Sequence, residues 1–182
     1  MFQAVKAAAS KWQPYVNLTF DFVELSDNDM EYEGDIRVYL SHHYDGTGRS
    51  EIGTDALAVQ AHSPTMLLGT SYSSPRFEFT AIHEFGHALG LMHAHQHPEA
   101  NIPWDKKKTY ELYRQKFGWS RAQVDLNVFP LPRDASRTYA AYDRHSVMHY
   151  EISNEYTLGD WKQTENPHIS AADIAFIRRI YP

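Results

Sequence analysis

The chain has 182 residues, a formal net charge of -6 and no cysteine; that length suits one compact domain or two lobes around a cleft, and the charge argues against a nucleic-acid partner. Without cysteine there is neither a disulfide nor a thiolate-bound metal, which fits a bacterial protein better than a eukaryotic secreted one. No apolar run reaches membrane-spanning length, and residues 1–6 lack the apolar core of a signal peptide.

The elements follow in chain order. Phe2, Val5, Ala8 (or Ala9) and Trp12 recur at helical spacing, and Pro14 closes that pattern. Residues 18–23 alternate polar and apolar side chains like a strand. Ser26-Asp27-Asn28-Asp29 reads as a loop. Residues 35–40 predict a second strand, and Asp45-Gly46-Thr47-Gly48 a turn. Residues 56–61 are expected to form an edge strand and residues 65–69 another strand. A long helix is predicted over residues 76–91. Asp105 is placed as the N-cap of a helix running to about Phe117, with Gly118 in the stop position. Lys106-Lys107-Lys108 reads as a solvated face of that helix. Ser120-Arg121-Ala122-Gln123 resembles a short capped turn, and residues 159–167 a loop. Ser170-Ala171-Ala172-Asp173 matches an acidic capping box ahead of a last helix with apolar face Ile174, Ile177 and Ile180.

The chemistry lies in the central segment, which reads His83-Glu84-Phe85-Gly86-His87-Ala88-Leu89-Gly90-Leu91-Met92-His93. Two histidines four residues apart share one helix face, so both imidazoles can turn to a single ion. Glu84 can reach a water at that ion without ligating it. Gly90 accepts a positive φ, so the helix can stop there and His93 can swing back as a third ligand. Three protein ligands leave a fourth position open, as in a catalytic rather than a structural zinc site. The HExxH core alone is a weak signal; the added Gly90 and His93 make it specific.

The stretch HExxHxxGxxH resembles the signature of the metzincin zinc metallopeptidases. Ser146-Val147-Met148-His149-Tyr150 is similar to the Met-turn of that family, and Tyr142 to Tyr150 is nearest to its astacin branch. The resemblance implies an α+β zincin-like (metzincin) fold. A mixed twisted sheet and the active-site helix would make an N-terminal subdomain (residues 1–93), with a mostly helical and irregular C-terminal subdomain (residues 94–182). It implies a single catalytic domain over 1–182 and one catalytic Zn2+ held by His83, His87 and His93. Glu84 would be the general base, Met148 the floor of the site, and Tyr150 a switchable fifth ligand that turns to stabilise the oxyanion. The implied activity is that of a zinc-dependent endopeptidase, a monomer with no nucleic-acid or membrane partner. Its protein or peptide substrates would lie as an extended strand along the edge strand at residues 56–61. Secretion is expected from the same resemblance.

The chain departs from the astacins at Ala94, where a Glu usually follows the third histidine, and in having no cysteine. The stretches Gly53-Thr54-Asp55-Ala56, Pro64-Thr65-Met66 and His95-Gln96-His97-Pro98 are more similar to an astacin/matrixin-like group of bacterial and fungal peptidases. His95 to Pro98 is read as a surface loop, His149 as a buried hydrogen-bonded histidine, and His42, His43 and His62 as loop residues. Tyr142 and Asp143 are read as fixing the Met-turn, and residues 151–156 as walling the specificity pocket. Two competing readings are a non-catalytic zinc-binding or adhesion module and a hydrolase of non-peptide amides. Glu84 and Tyr150 argue against the first, because binding alone needs neither.

Overall fold

The computed structural model describes residues 1–25 and 34–182. The loop expected at residues 26–29 therefore lies outside the described residues. The chain divides into two compact units, Met1–Met92 with Ile174–Pro182, and His93–Asp173.

The first unit opens with α1 (Phe2–Ala9), whose buried positions Val5, Ala8 and Ala9 make one apolar stripe. A 3-10 turn at Gln13–Tyr15 follows. The alternation at residues 18–23 does not become a strand: these residues carry no regular structure. Side-chain alternation marks a strand only where a partner ladder satisfies the backbone, and no ladder forms there among the described residues.

Three short strands form one mixed sheet: β1 (Val38–Leu40), β2 (Gly48–Ser50) and β3 (Met66–Leu68). β3 lies in the middle. It runs parallel to β1, with Val38 opposite Met66, and antiparallel to β2, with Gly48 opposite Leu68. Met66 and Leu68 are fully buried.

The edge strand expected at residues 56–61 does not form. Gly53–Ala58 is a 3-10 helix, begun by Gly53 at φ +53. A residue in that left-handed region turns the chain out of the extended conformation. The edge on that side of the sheet is β2. Residues 59–64 are instead held by Arg37, which donates from Nε to Ser63 O (2.8 Å) and from Nη2 to Val59 O (3.3 Å) and Gln60 O (3.4 Å).

α2 (Pro75–Ala88) starts with Ser74 as N-cap, whose side chain accepts from Arg76 N, and with proline at its first position. It packs on α1 and on the sheet. Trp12 is fully buried and donates from Nε1 to Ile82 O at 2.9 Å. At its far end Gly90 N donates to His87 O (2.8 Å) and Leu91 N to Gly86 O (3.0 Å). That pair of bonds is a Schellman stop, with Gly90 at φ +94 as its left-handed residue. Tyr181, beyond the last helix, donates its hydroxyl to Leu89 O at 3.1 Å.

In the second unit α3 (Lys106–Phe117) runs between the Asp105 cap and Gly118 at φ +70, as its sequence predicts. The capped turn at Ser120 extends into a helix, α4 (Arg121–Asn127), with a reciprocal Ser120–Gln123 capping box. Val124, Val128 and Phe129 form a small core against Trp104, Tyr110, Tyr113 and Trp119. Residues 159–167 form no helix or strand element; Gln163 makes one isolated bridge to Ile152. The last helix is α5 (Ala171–Ile180). Its expected capping box is present: Asp173 N donates to Ser170 Oγ (3.0 Å) and Ser170 N donates to Asp173 Oδ2 (2.9 Å).

Among the described residues no helix is long and apolar enough to cross a membrane.

Candidate metal centre and its surroundings

His83 and His87 project from one face of α2, with ring centroids 4.8 Å apart at 85°. Both are buried. The Gly90 stop turns the chain three residues before His93. One ligand atom from each of His83, His87 and His93 lies within 4.8 Å of the others. Three imidazoles are a donor set that zinc takes readily.

One of them is also oriented. The Nδ1–H of His87 donates to Leu91 O at 2.7 Å, which assigns the proton to Nδ1 and leaves the Nε2 lone pair for a cation. Burial pushes the His87 pKa down and favours this neutral form, while the Leu91 bond opposes the shift. Glu84 is buried on the same helix, and desolvation raises its pKa from 4.5 to about 8. In the absence of a cation this carboxyl group therefore holds its proton at neutral pH.

β2 passes directly over Glu84. A Cβ built at Gly48 would lie 2.7 Å from Glu84 Cγ, 2.8 Å from Thr80 Cγ2 and 2.9 Å from Glu84 Oε1. This contact is absent from the sequence reading, where Gly48 appears only in a turn, and no local pattern announces it.

In the second unit the segment around Met148 is a tight turn. His149 N donates to Ser146 O (3.0 Å), and Met148 N to Ser146 Oγ (3.0 Å). Asp173 braces it, accepting from Ser146 Oγ (2.6 Å) and Val147 N (2.9 Å). Met148 is buried, and its carbonyl accepts from Ala94 N at 2.9 Å. Asp143 accepts from His145 N (2.8 Å) and Ser170 Oγ (2.7 Å). His149 is fully buried; its Nδ1–H donates to Tyr150 O (2.8 Å), and its Nε2 accepts from the Tyr142 hydroxyl (3.0 Å).

The Tyr150 ring lies 4.1 Å from the His93 ring, centroid to centroid. On its other contact it stacks on His95 at 4.8 Å and 19°. His95 was expected in a surface loop and is instead only 2% exposed. Ala94–Gln96 is a 3-10 turn that folds both His95 and Gln96 inward. Gln96 Nε2 donates to Leu126 O at 2.7 Å, and Leu131 N to Gln96 O at 2.9 Å. Polar residues go inside where the backbone offers partners, and those partners lie too far along the chain to be read locally. Of the remaining histidines, His42 bonds Thr70 Oγ1 through Nδ1 at 2.7 Å.

No protein-family model matches the chain, and no curated protein sequence does. Solved structures do. A structure of myroilysin is 40% identical over 99% of this chain and 85% of its own, with a TM-score of 0.85. A second myroilysin structure is 38% identical over 99% of this chain and 77% of its own, with a TM-score of 0.66. High choriolytic enzyme 1, a hatching enzyme zinc-protease from the medaka fish Oryzias latipes, shares the fold. Its TM-score is 0.58 at 15% identity, over 98% of this chain and 81% of its own. With the α+β architecture and three clustered histidines beside them, these relationships show that the chain belongs to the astacin-like metzincins, a family of zinc metalloendopeptidases.

Proposed function

We propose that this zinc endopeptidase binds one catalytic ion through His83, His87 and His93, with Glu84 as general base and Tyr150 as oxyanion stabiliser. The observation that carries the reading is the convergence of the three imidazoles, with the buried Glu84 carboxyl group on the helix that carries His83 and His87. A zinc ion there supplies a Lewis acid that makes water more acidic and polarises a carbonyl. Glu84 takes the proton of the attacking water and delivers it to the leaving amine. Its burial strengthens that role, because a carboxylate poorly served by water is a stronger base. Tyr150, packed on His93 and His95, presents its hydroxyl to the carbonyl oxygen as negative charge develops. Met148 supports the site by packing alone.

Substrates are peptides bound in extended form. The strand that offers them backbone groups is β2, whose second side has no ladder partner among the described residues. Residues 151–156 wall the specificity pocket. The chain acts as a single catalytic domain, monomeric and extracellular, without nucleic-acid or membrane partners.

The test is Glu84→Ala, with zinc content and casein cleavage measured on the same sample. The expected result is stoichiometric zinc with cleavage reduced about 10²–10⁴-fold. Unchanged cleavage at full zinc occupancy would overturn the assignment of Glu84. Tyr150→Phe, treated in parallel, is expected to keep zinc and lower kcat; an unaltered kcat removes Tyr150 from the mechanism.

A further inference from the structure

We propose, resting on the reading of Glu84 as general base, that Gly48 is a positioning residue that keeps the Glu84 carboxyl group in its reactive place. Gly48 is not among the glycines with positive φ, so its backbone suits any residue. What the position demands is space. A methyl group there would sit 2.7 Å from Glu84 Cγ and 2.9 Å from Glu84 Oε1, well inside the ~3.5–4.0 Å of a comfortable carbon contact.

Something has to move if that methyl is added, and the surroundings decide what. β2 is pinned through its pairing with β3, where Gly48 faces Leu68. Thr80 lies one helical turn before Glu84, with its Cγ2 2.8 Å from the same point. Its β-branched side chain is stiff at χ1. Glu84 has more rotatable bonds and yields first. It is buried among other buried residues of α2, so yielding takes its carboxyl group away from where it stands. Proton transfer tolerates little misplacement: a shift near 1 Å can cost about 10²-fold in rate. Substrate binding does not depend on the same atom, so the damage falls on kcat.

The experiment compares four zinc-loaded proteins: wild type, Gly48→Ala, Glu84→Ala and the double variant. Gly48→Ala is expected to retain full zinc and lose about 10–100-fold in kcat, with KM within about threefold. Its thermal midpoint falls on the order of 5 °C when Glu84 is present. In the Glu84→Ala background the same substitution has less than half that effect, since the crowded side chain is gone. A kcat within twofold of wild type overturns the proposal, and so do equal midpoint losses in both backgrounds. Coupled midpoints together with wild-type cleavage by Glu84→Ala overturn the base assignment itself, and the catalytic part of the proposal with it. If Gly48→Ala alone does not fold, recovery of folding in the double variant supports the crowding, and no recovery overturns it.

Discussion

Glu84 is costly to ionise in the zinc-free protein. Burial raises its pKa to about 8, so the zinc-free folded protein keeps a proton that the unfolded chain gives up near pH 4.5. A group whose folded pKa is raised contributes most below its unfolded value, and that contribution is lost as pH climbs through the folded one. Zinc-free protein therefore loses stability between about pH 4.5 and pH 8, by on the order of 4 kcal/mol from this residue. Burial of the neighbouring His87 lowers its pKa and works in the opposite direction. Comparison with Glu84→Gln removes that share. Between pH 5 and 8 the thermal midpoint of chelated wild type is expected to fall on the order of 10 °C further than that of chelated Glu84→Gln. Parallel curves for the two proteins would refute the buried-carboxyl account.

Among the elements, the Met148 turn and α5 meet in one side chain. Asp173 accepts from Ser146 Oγ and Val147 N, and from Ser170 N as the reciprocal half of the α5 cap. Asp173→Ala removes the acceptor from all three donors, two of them buried, at about 1–3 kcal/mol for each unsatisfied group. A loss of 3–5 kcal/mol is expected in denaturant unfolding, roughly half of it spared by Asp173→Asn, which still offers one acceptor oxygen. A loss below 1 kcal/mol in the alanine variant would show that the turn is held by other contacts. The sequence makes α5 legible for the same reason, because its cap is a local pattern of four residues. α2 is legible too: Ser74, Pro75 and Gly90 punctuate it, and the histidine spacing needs only helical geometry. The strands are so only in part: β1 and β3 lie within the strands expected at residues 35–40 and 65–69, while β2 begins where a turn is expected. Each spans three residues, too short for alternation to emerge. Their identity depends on a ladder between segments far apart in the chain, which is why residues 18–23 and 56–61 mislead.

For the molecule as a whole, the histidine cluster is legible in the sequence and its surroundings are not. His83, His87 and His93 lie within eleven consecutive residues. Gly48 approaches Glu84, and His95 stacks on Tyr150, only after the chain has folded back on itself. Such contacts leave no periodic trace in the sequence. The same holds for the four carbonyls gathered by Arg37, those of Gly34, Val59, Gln60 and Ser63.

An endopeptidase must also outlast its own activity, and each molecule meets its neighbours as substrates. Residues 59–64 have no sheet or helix to protect them, and Leu57 nearby is 79% exposed. Cleavage requires a segment that can be drawn out into another molecule's active site. The Arg37 guanidinium resists that by tethering three carbonyls of this stretch to the base of β1. Arg37→Ala is thus expected to store poorly: mass spectrometry of concentrated enzyme should find self-inflicted nicks within residues 57–63, accumulating faster than in wild type and suppressed by chelation. An equal nicking rate in the two proteins would mean that the tether gives no such protection.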